Sequence, residues 1–131
     1  MILGIGNDII EVERVEKACR NSHFMQRCFS ETEISLFQEK PQSLAGNFAD
    51  WRVTTSLISG FTAKEAVVKA FGTGFVQIAP CEVEILREES GKPYVRLQGK
   101  AGKYLKDNMK IHVSISNLKT LASAVAVIEM D

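Results

Sequence analysis

The amino-acid sequence predicts an α+β fold: a single domain over residues 1–131, with a mostly antiparallel sheet and helices packed on it. Three observations predict it. EVEILR (82–87) and YVRLQG (94–99) alternate polar and apolar residues at period two across a turn with Gly91 and Pro93, which reads as a hairpin. IHVSIS (111–116) and LASAVAVIE (121–129) form a second strand pair joined by NLKT. From residue 12 to 71 the apolar spacing is mostly helical instead. Helices grouped apart from strands, without strict alternation, are the mark of α+β.

The elements follow in order. Residues 2–10, rich in Ile and Gly, read as a buried strand. In VERVEKACRN (12–21), Val12, Val15 and Cys19 fall at helical spacing among charges. SETEISLFQ opens with Ser30 and has Glu33 three residues on, a capping-box pattern that starts a second helix, and Pro41 stops it. Residues 41–54 mix Pro, Gly, Asn and Asp with apolar residues and fit either a packed loop or a short helix. Helical periodicity resumes from about Thr55 to Phe71 as a third helix. KAGKYLKDN (100–108) reads as a short amphipathic helix. The last strand is apolar on both faces: Leu121, Ser123, Val125 and Val127 on one, Ala122, Ala124, Ala126 and Ile128 on the other. Such a strand requires cover on both sides, from helices or from a neighbouring chain.

Composition excludes several classes. Hydrophobic residues at 45% beside 24% charged residues give an ordinary globular balance in a length that suits one domain. Formal net charge is zero, so no global field attracts nucleic acid or a membrane surface. Residues 61–120 carry ten Lys/Arg against six Asp/Glu, a local excess that suits either an anionic small molecule, a modestly acidic partner or a merely solvated surface. Cys19, Cys28 and Cys81 are scattered, with no CxxC, so neither a disulfide framework nor a zinc site is suggested, and reduced thiols in the cytoplasm are the simple expectation. No run approaches the ~20 apolar residues of a membrane span. The start, MILGIGNDII, lacks the basic leader of a signal peptide and contains Asp8.

The chemistry concentrates in FTAKEAVVKAFGTG (61–74). On a helix Glu65 and Lys69 are four apart and share a face with Phe61, while Lys64 points about 100° away. One reading is a solvated ion pair worth ~0.3–0.5 kcal/mol. The other is a ligand site, because Gly72 suits a helix C′ position and Gly74 allows close backbone approach. Asp8, a carboxylate in an apolar strand, requires a cation, a metal or hydrogen-bond donors, unless it merely caps a turn. Together Asp8 and Glu65 make the sparse carboxylate pair that Mg²⁺ accepts, with lysines nearby to neutralise substrate phosphates. His112, on a strand whose face also carries Ser114 and Ser116, is either structural, a phosphate hydrogen-bond donor or a proton shuttle.

Five segments carry a resemblance. GIGNDIIEVERV (4–15), RCFSETE (27–33), FTAKEAVVKAFGTG, GKPYVRLQGKA (91–101) and HVSISN (112–117) resemble, in order and over nearly the whole chain, the holo-acyl-carrier-protein synthases, the short class of 4′-phosphopantetheinyl transferases. The resemblance implies transfer of the phosphopantetheine arm of coenzyme A to a serine of an apo-acyl carrier protein, with release of adenosine 3′,5′-bisphosphate. It implies that Asp8 and Glu65 hold Mg²⁺, that Lys69 stabilises charge on the phosphate, and that Lys64, Gly72, Gly74 and His112 contact the coenzyme. Arg14 and Arg27 match positions that face the acidic carrier protein, and the family assembles as homotrimers with sites between protomers. Gly60 and Asn117 depart from the pattern, standing where an Arg or Lys and a His are usual. The alternative is a non-catalytic oligomeric module of the same descent that binds a carrier protein or a nucleotide. It would have no need of the Asp8–Glu65 pair.

Overall fold

The computed structural model describes residues 1–38 and 51–131. The chain runs β1 (Ile2–Glu11), α1 (Val12–Cys19), α2 (Ser22–Cys28), α3 (Glu31–Gln38), α4 (Trp51–Phe71), the short α5 (Gly74–Gln77), β2 (Val83–Arg87), β3 (Pro93–Leu97), β4 (Met109–Asn117) and β5 (Leu121–Met130). Among the described residues two antiparallel sheets result: three strands in the order β1-β5-β4, and the β2–β3 hairpin. The expected α+β architecture, the hairpin and the final strand pair are all present.

Four local readings are corrected. A helix not foreseen, α2, begins where the Asn21 side chain accepts the N–H groups of His23 (2.8 Å) and Phe24 (3.2 Å), so an Asn cap splits what reads as one polar stretch. Helix α4 starts at Trp51, four residues before the expected Thr55. Segment 100–108 forms a 3₁₀ turn over Gly99–Tyr104, without a full helix. Strand β1 is buried on one face only: Gly6 and Asp8 point inward, whereas Ile5 and Ile9 are 64% and 63% exposed. Residues 41–50, with the helix stop assigned to Pro41, lie outside the described residues.

Helix α4 is the axis of the molecule. One hydrophobic cluster packs its Ala63, Ala66, Val67 and Ala70 against Ala124, Ala126 and Ile128 of β5, with Ile111, Val113 and Ile115 of β4 beside them. A second joins its Leu57 and Ile58 to Val15, Cys19, Cys28 and Phe29 of the early helices. The alanine face of β5 is therefore covered within the chain, while Val125 on the opposite face is exposed.

The contact between α4 and β1 is made backbone to backbone. A Cβ on Gly4 would lie 2.0 Å from the Ala70 carbonyl oxygen, and one on Gly6 would lie 2.1 Å from that of Ala66. Gly6→Ala should therefore push α4 off β1 and lower unfolding free energy by ~3 kcal/mol or more, the upper end for overpacked sites. Urea denaturation of the variant measures this, and a loss below ~1 kcal/mol would mean that helix and strand are not so tightly joined.

Candidate active site

The close packing sets three polar side chains together. Asp8 lies on the inner face of β1, two residues beyond Gly6, and is 8% exposed. Lys69, on α4 beside Ala70, donates to Asp8 Oδ1 at 2.9 Å and to the Asn7 carbonyl oxygen at 3.1 Å. Its hydrogen bond with Asp8 holds the ammonium above the ordinary lysine range. Glu65, one turn earlier on the same face, is pushed up to about 7, first by burial and then by the hydrogen bond and negative charge of Asp8, with Lys69 acting in the opposite sense. With both carboxyls ionised no donor stands between them, and Asp8 Oδ2 is buried with no hydrogen-bond partner among the described residues. Either a proton shared with Glu65 or a bound cation satisfies that oxygen.

Glu65 also opens onto a cleft of about 480 Å³, lined by Ile9, Glu11, Arg14, Phe24 and Phe61. Phe24 and Phe61 form its aromatic wall, with ring centroids 5.7 Å apart. Arg14 is exposed on α1 at the rim, and Arg27 is exposed in the last turn of α2. Beyond Lys69 the helix closes with Gly72 at φ +75°, whose N–H donates to the Lys69 carbonyl at 3.0 Å. A Cβ at Gly72 or Gly74 would meet nothing within 4 Å, so this turn is open to an approaching group.

The comparisons with known proteins bear on this arrangement. Residues 4–126 match the model of the 4′-phosphopantetheinyl transferase superfamily. The chain belongs to that superfamily. It is 45% identical to the holo-[acyl-carrier-protein] synthase of Lachnoclostridium phytofermentans, over 99% of this chain and 98% of the relative. It is 43% identical to the enzyme of the same name from Clostridium tetani, over 98% and 97%. Among solved structures it resembles the holo-(acyl-carrier-protein) synthase of Bacillus anthracis in complex with CoA (3′,5′-ADP), with TM-score 0.77, 34% identity and coverage of 100% and 99%. The Neisseria meningitidis synthase gives TM-score 0.81 at 28% identity, covering 98% and 99%.

Within this phosphopantetheinyl transferase fold, two residues singled out from the sequence lie away from the carboxylate cluster. Lys64 requires a correction. It is fully buried, and its ammonium donates to Glu33 Oε1 (2.6 Å), the Val83 carbonyl (2.6 Å) and the Pro80 carbonyl (2.9 Å), so it is not in position to line a coenzyme. His112 projects from the outer face of β4, with Nε2 3.1 Å from Glu129 Oε1, whereas Asp8 faces inward on β1 at the opposite edge of the sheet. One chain alone does not unite His112 with Asp8. Sequence reasoning missed Phe24, because no local pattern tells that α2 turns its ring toward Phe61.

The raised Glu65 pKa fixes a pH response. Its folded pKa of about 7 exceeds the ordinary glutamate value of 4.5, so the folded protein holds the proton more tightly than the unfolded chain. The resulting stabilisation is complete below about 4.5 and lost as pH rises through about 7. In metal-free protein, the stability of the wild type relative to Glu65→Gln should fall across that window, read by chemical denaturation at several pH values. A difference that is flat with pH would show that Glu65 titrates normally.

Proposed function

We propose that the chain is a holo-acyl-carrier-protein synthase, which moves the 4′-phosphopantetheine arm of coenzyme A to a serine of an apo-acyl carrier protein in a Mg²⁺-dependent reaction. The observation that carries this reading is the Asp8–Glu65–Lys69 cluster, with its unpartnered Asp8 oxygen, at the edge of a cleft that also holds Arg14. The names of the relatives support it, as does the solved relative from Helicobacter pylori in complex with coenzyme A, at 27% identity and TM-score 0.71.

The donor set fits Mg²⁺. Two carboxylates are enough for an ion that keeps several waters and takes its other oxygens from phosphates. Asp8 and Glu65 would hold it, and it would supply neutralising charge to the diphosphate of coenzyme A. Lys69, tethered by Asp8 yet half exposed, offers ammonium donors to the phosphoryl oxygens as charge develops on them. In the transfer the serine oxygen forms a bond to the phosphorus on the pantetheine side. The bond from that phosphorus to the bridging oxygen breaks, adenosine 3′,5′-bisphosphate leaves and the serine proton is released. The Gly72–Gly74 turn admits the coenzyme close to the backbone. Arg14 and Arg27 face an acidic carrier protein, and Arg14 would bring the acceptor serine to the Glu65 side of the cleft.

The same reading includes a homotrimer in the cytoplasm. Leu3, Ile5, Ile9 and Val125 are exposed on the outer face of the large sheet, an apolar patch of the kind that marks an interface. His112 stands on that face, so packing sheets against one another would carry it to a neighbouring protomer's coenzyme. Cys19, Cys28 and Cys81 are free thiols, which suits a reducing compartment.

Three measurements test these statements. Incubated with coenzyme A, Mg²⁺ and an apo-carrier protein, the wild type should add one phosphopantetheine group, seen by mass spectrometry. Glu65→Gln should lower kcat by ~10²-fold, the loss found for single electrostatic groups. An unchanged rate in that variant removes Glu65 from the mechanism. Light scattering at micromolar concentration should give three times the chain mass, and a monomer mass would exclude the trimer.

A further inference from the structure

Lys64 precedes the proposed metal ligand Glu65 in sequence and points about 100° away from it around α4. Its three N–H donors are all used, and its ammonium lies 5.2 Å from the centre of the Phe29 ring. Glu33, its carboxylate partner, accepts the Ser30 N–H at 3.0 Å through Oε1 and the Ile85 N–H at 3.2 Å through Oε2. Ser30 Oγ donates in turn to Glu84 Oε2 at 2.6 Å, and Arg96 Nε donates to Glu84 Oε1 at 2.7 Å. One buried network thus ties α4 to the start of α3 and to both strands of the β2–β3 hairpin.

Such a network is a poor source of stability. A buried ion pair replaced by apolar side chains of like volume is often neutral or stabilising. Orientation is a better account of it here. Toward β1, α4 meets Gly4 and Gly6, which present flat backbone to Ala66 and Ala70, and the directional tie there is the half-exposed Lys69 ammonium, at the end of a flexible stem, on Asp8 and the Asn7 carbonyl. The glycine contact sets how close α4 comes, and leaves its rotation about its own axis to other groups. Lys64 makes directional bonds to three fixed acceptors. A helix side chain reaches ~6 Å from the axis. A turn of about 20° would therefore carry the Glu65 carboxylate about 2 Å, the length of a whole Mg–O bond.

We propose that Lys64 is a positioning residue for the transfer reaction: anchored on Glu33 and on the Pro80 and Val83 carbonyls, it fixes the rotation of α4 and so aims Glu65 at Asp8. This rests on the synthase reading given above. Lys64→Met leaves Glu33 buried and unpaired, so it should destabilise the protein. Lys64→Met combined with Glu33→Gln removes both charges and should recover most of the lost melting temperature, while kcat stays at least tenfold below wild type. The KM for coenzyme A should remain within twofold, and the Mg²⁺ concentration that half-saturates thermal protection, read without turnover, should rise at least fivefold. Wild-type kcat in the recovered double variant would reduce Lys64 to a structural role. A raised KM with kcat kept would make it a coenzyme ligand. Either result overturns the proposal. If the double variant does not fold, Glu33→Gln alone carries the test, since weakening one anchor should lower kcat about threefold at unchanged KM, and an unchanged kcat overturns the proposal too. A wild type without transfer would instead sink the synthase reading itself.

Discussion

The contact that everything else depends on is the laying of α4 on β1 at Gly4 and Gly6, where the strand backbone meets the helix backbone directly. Two glycines on alternate positions of one strand face remove the side chains that would hold a helix further off. Without that approach Lys69 would not reach both Asp8 and the Asn7 carbonyl, and Glu65 would not sense the Asp8 charge. The arrangement costs conformational freedom in the unfolded chain, because glycine in a strand interior is entropically unfavourable. It also forgoes packed apolar side chains at that place, so the two clusters on either side of α4 supply the burial that keeps the helix down.

The polar groups on the two sides of α4 are handled differently. On the Lys64 side each buried charge is matched: Glu33 by Lys64 and Glu84 by Arg96, with backbone donors and carbonyls completing the set. On the Glu65 side the matching is incomplete, since one ammonium faces two carboxyl groups. A native interior seldom leaves a buried carboxylate oxygen unpartnered. The contrast within a single helix argues that the imperfection belongs to the site rather than to loose packing.

What the sequence made legible was mostly local. The Ser30–Glu33 capping box is formed, with Glu33 N–H donating to Ser30 Oγ at 3.1 Å, because both partners sit three residues apart. Gly72 takes its left-handed conformation where the apolar period ends. The period-two patterns of the hairpin and the final strands translate directly into their registers. What failed needed tertiary information. Lys64 looked like a phosphate ligand because its partners Pro80, Val83 and Glu33 lie 16, 19 and 31 residues away, and no spacing announces them. Strand β1 looked buried because Ile and Leu on its outer face say only that cover is required, not that the same chain provides it. Helix α2 was hidden because its Asn21 cap sits within a run of polar residues that reads as one helix end.

Charge balance explains why so exposed a lysine and so reluctant a glutamate are kept together. Asp8 and Glu65 ionised beside Lys69 leave one negative charge in excess in a half-buried place, and the protein alone relieves it by holding a proton on Glu65 up to about pH 7. Under the synthase reading, a divalent cation held by Asp8 and Glu65 would relieve it more fully. It would take the place of that proton, satisfy the orphaned Asp8 oxygen and turn the local charge to one positive. That is the sign a diphosphate requires. Under the synthase reading the pair of carboxylates is then more than a metal holder. Near pH 7 the cluster without a cation would carry between zero and one negative charge, which does not draw a diphosphate, so under that reading coenzyme binding would depend on the cation.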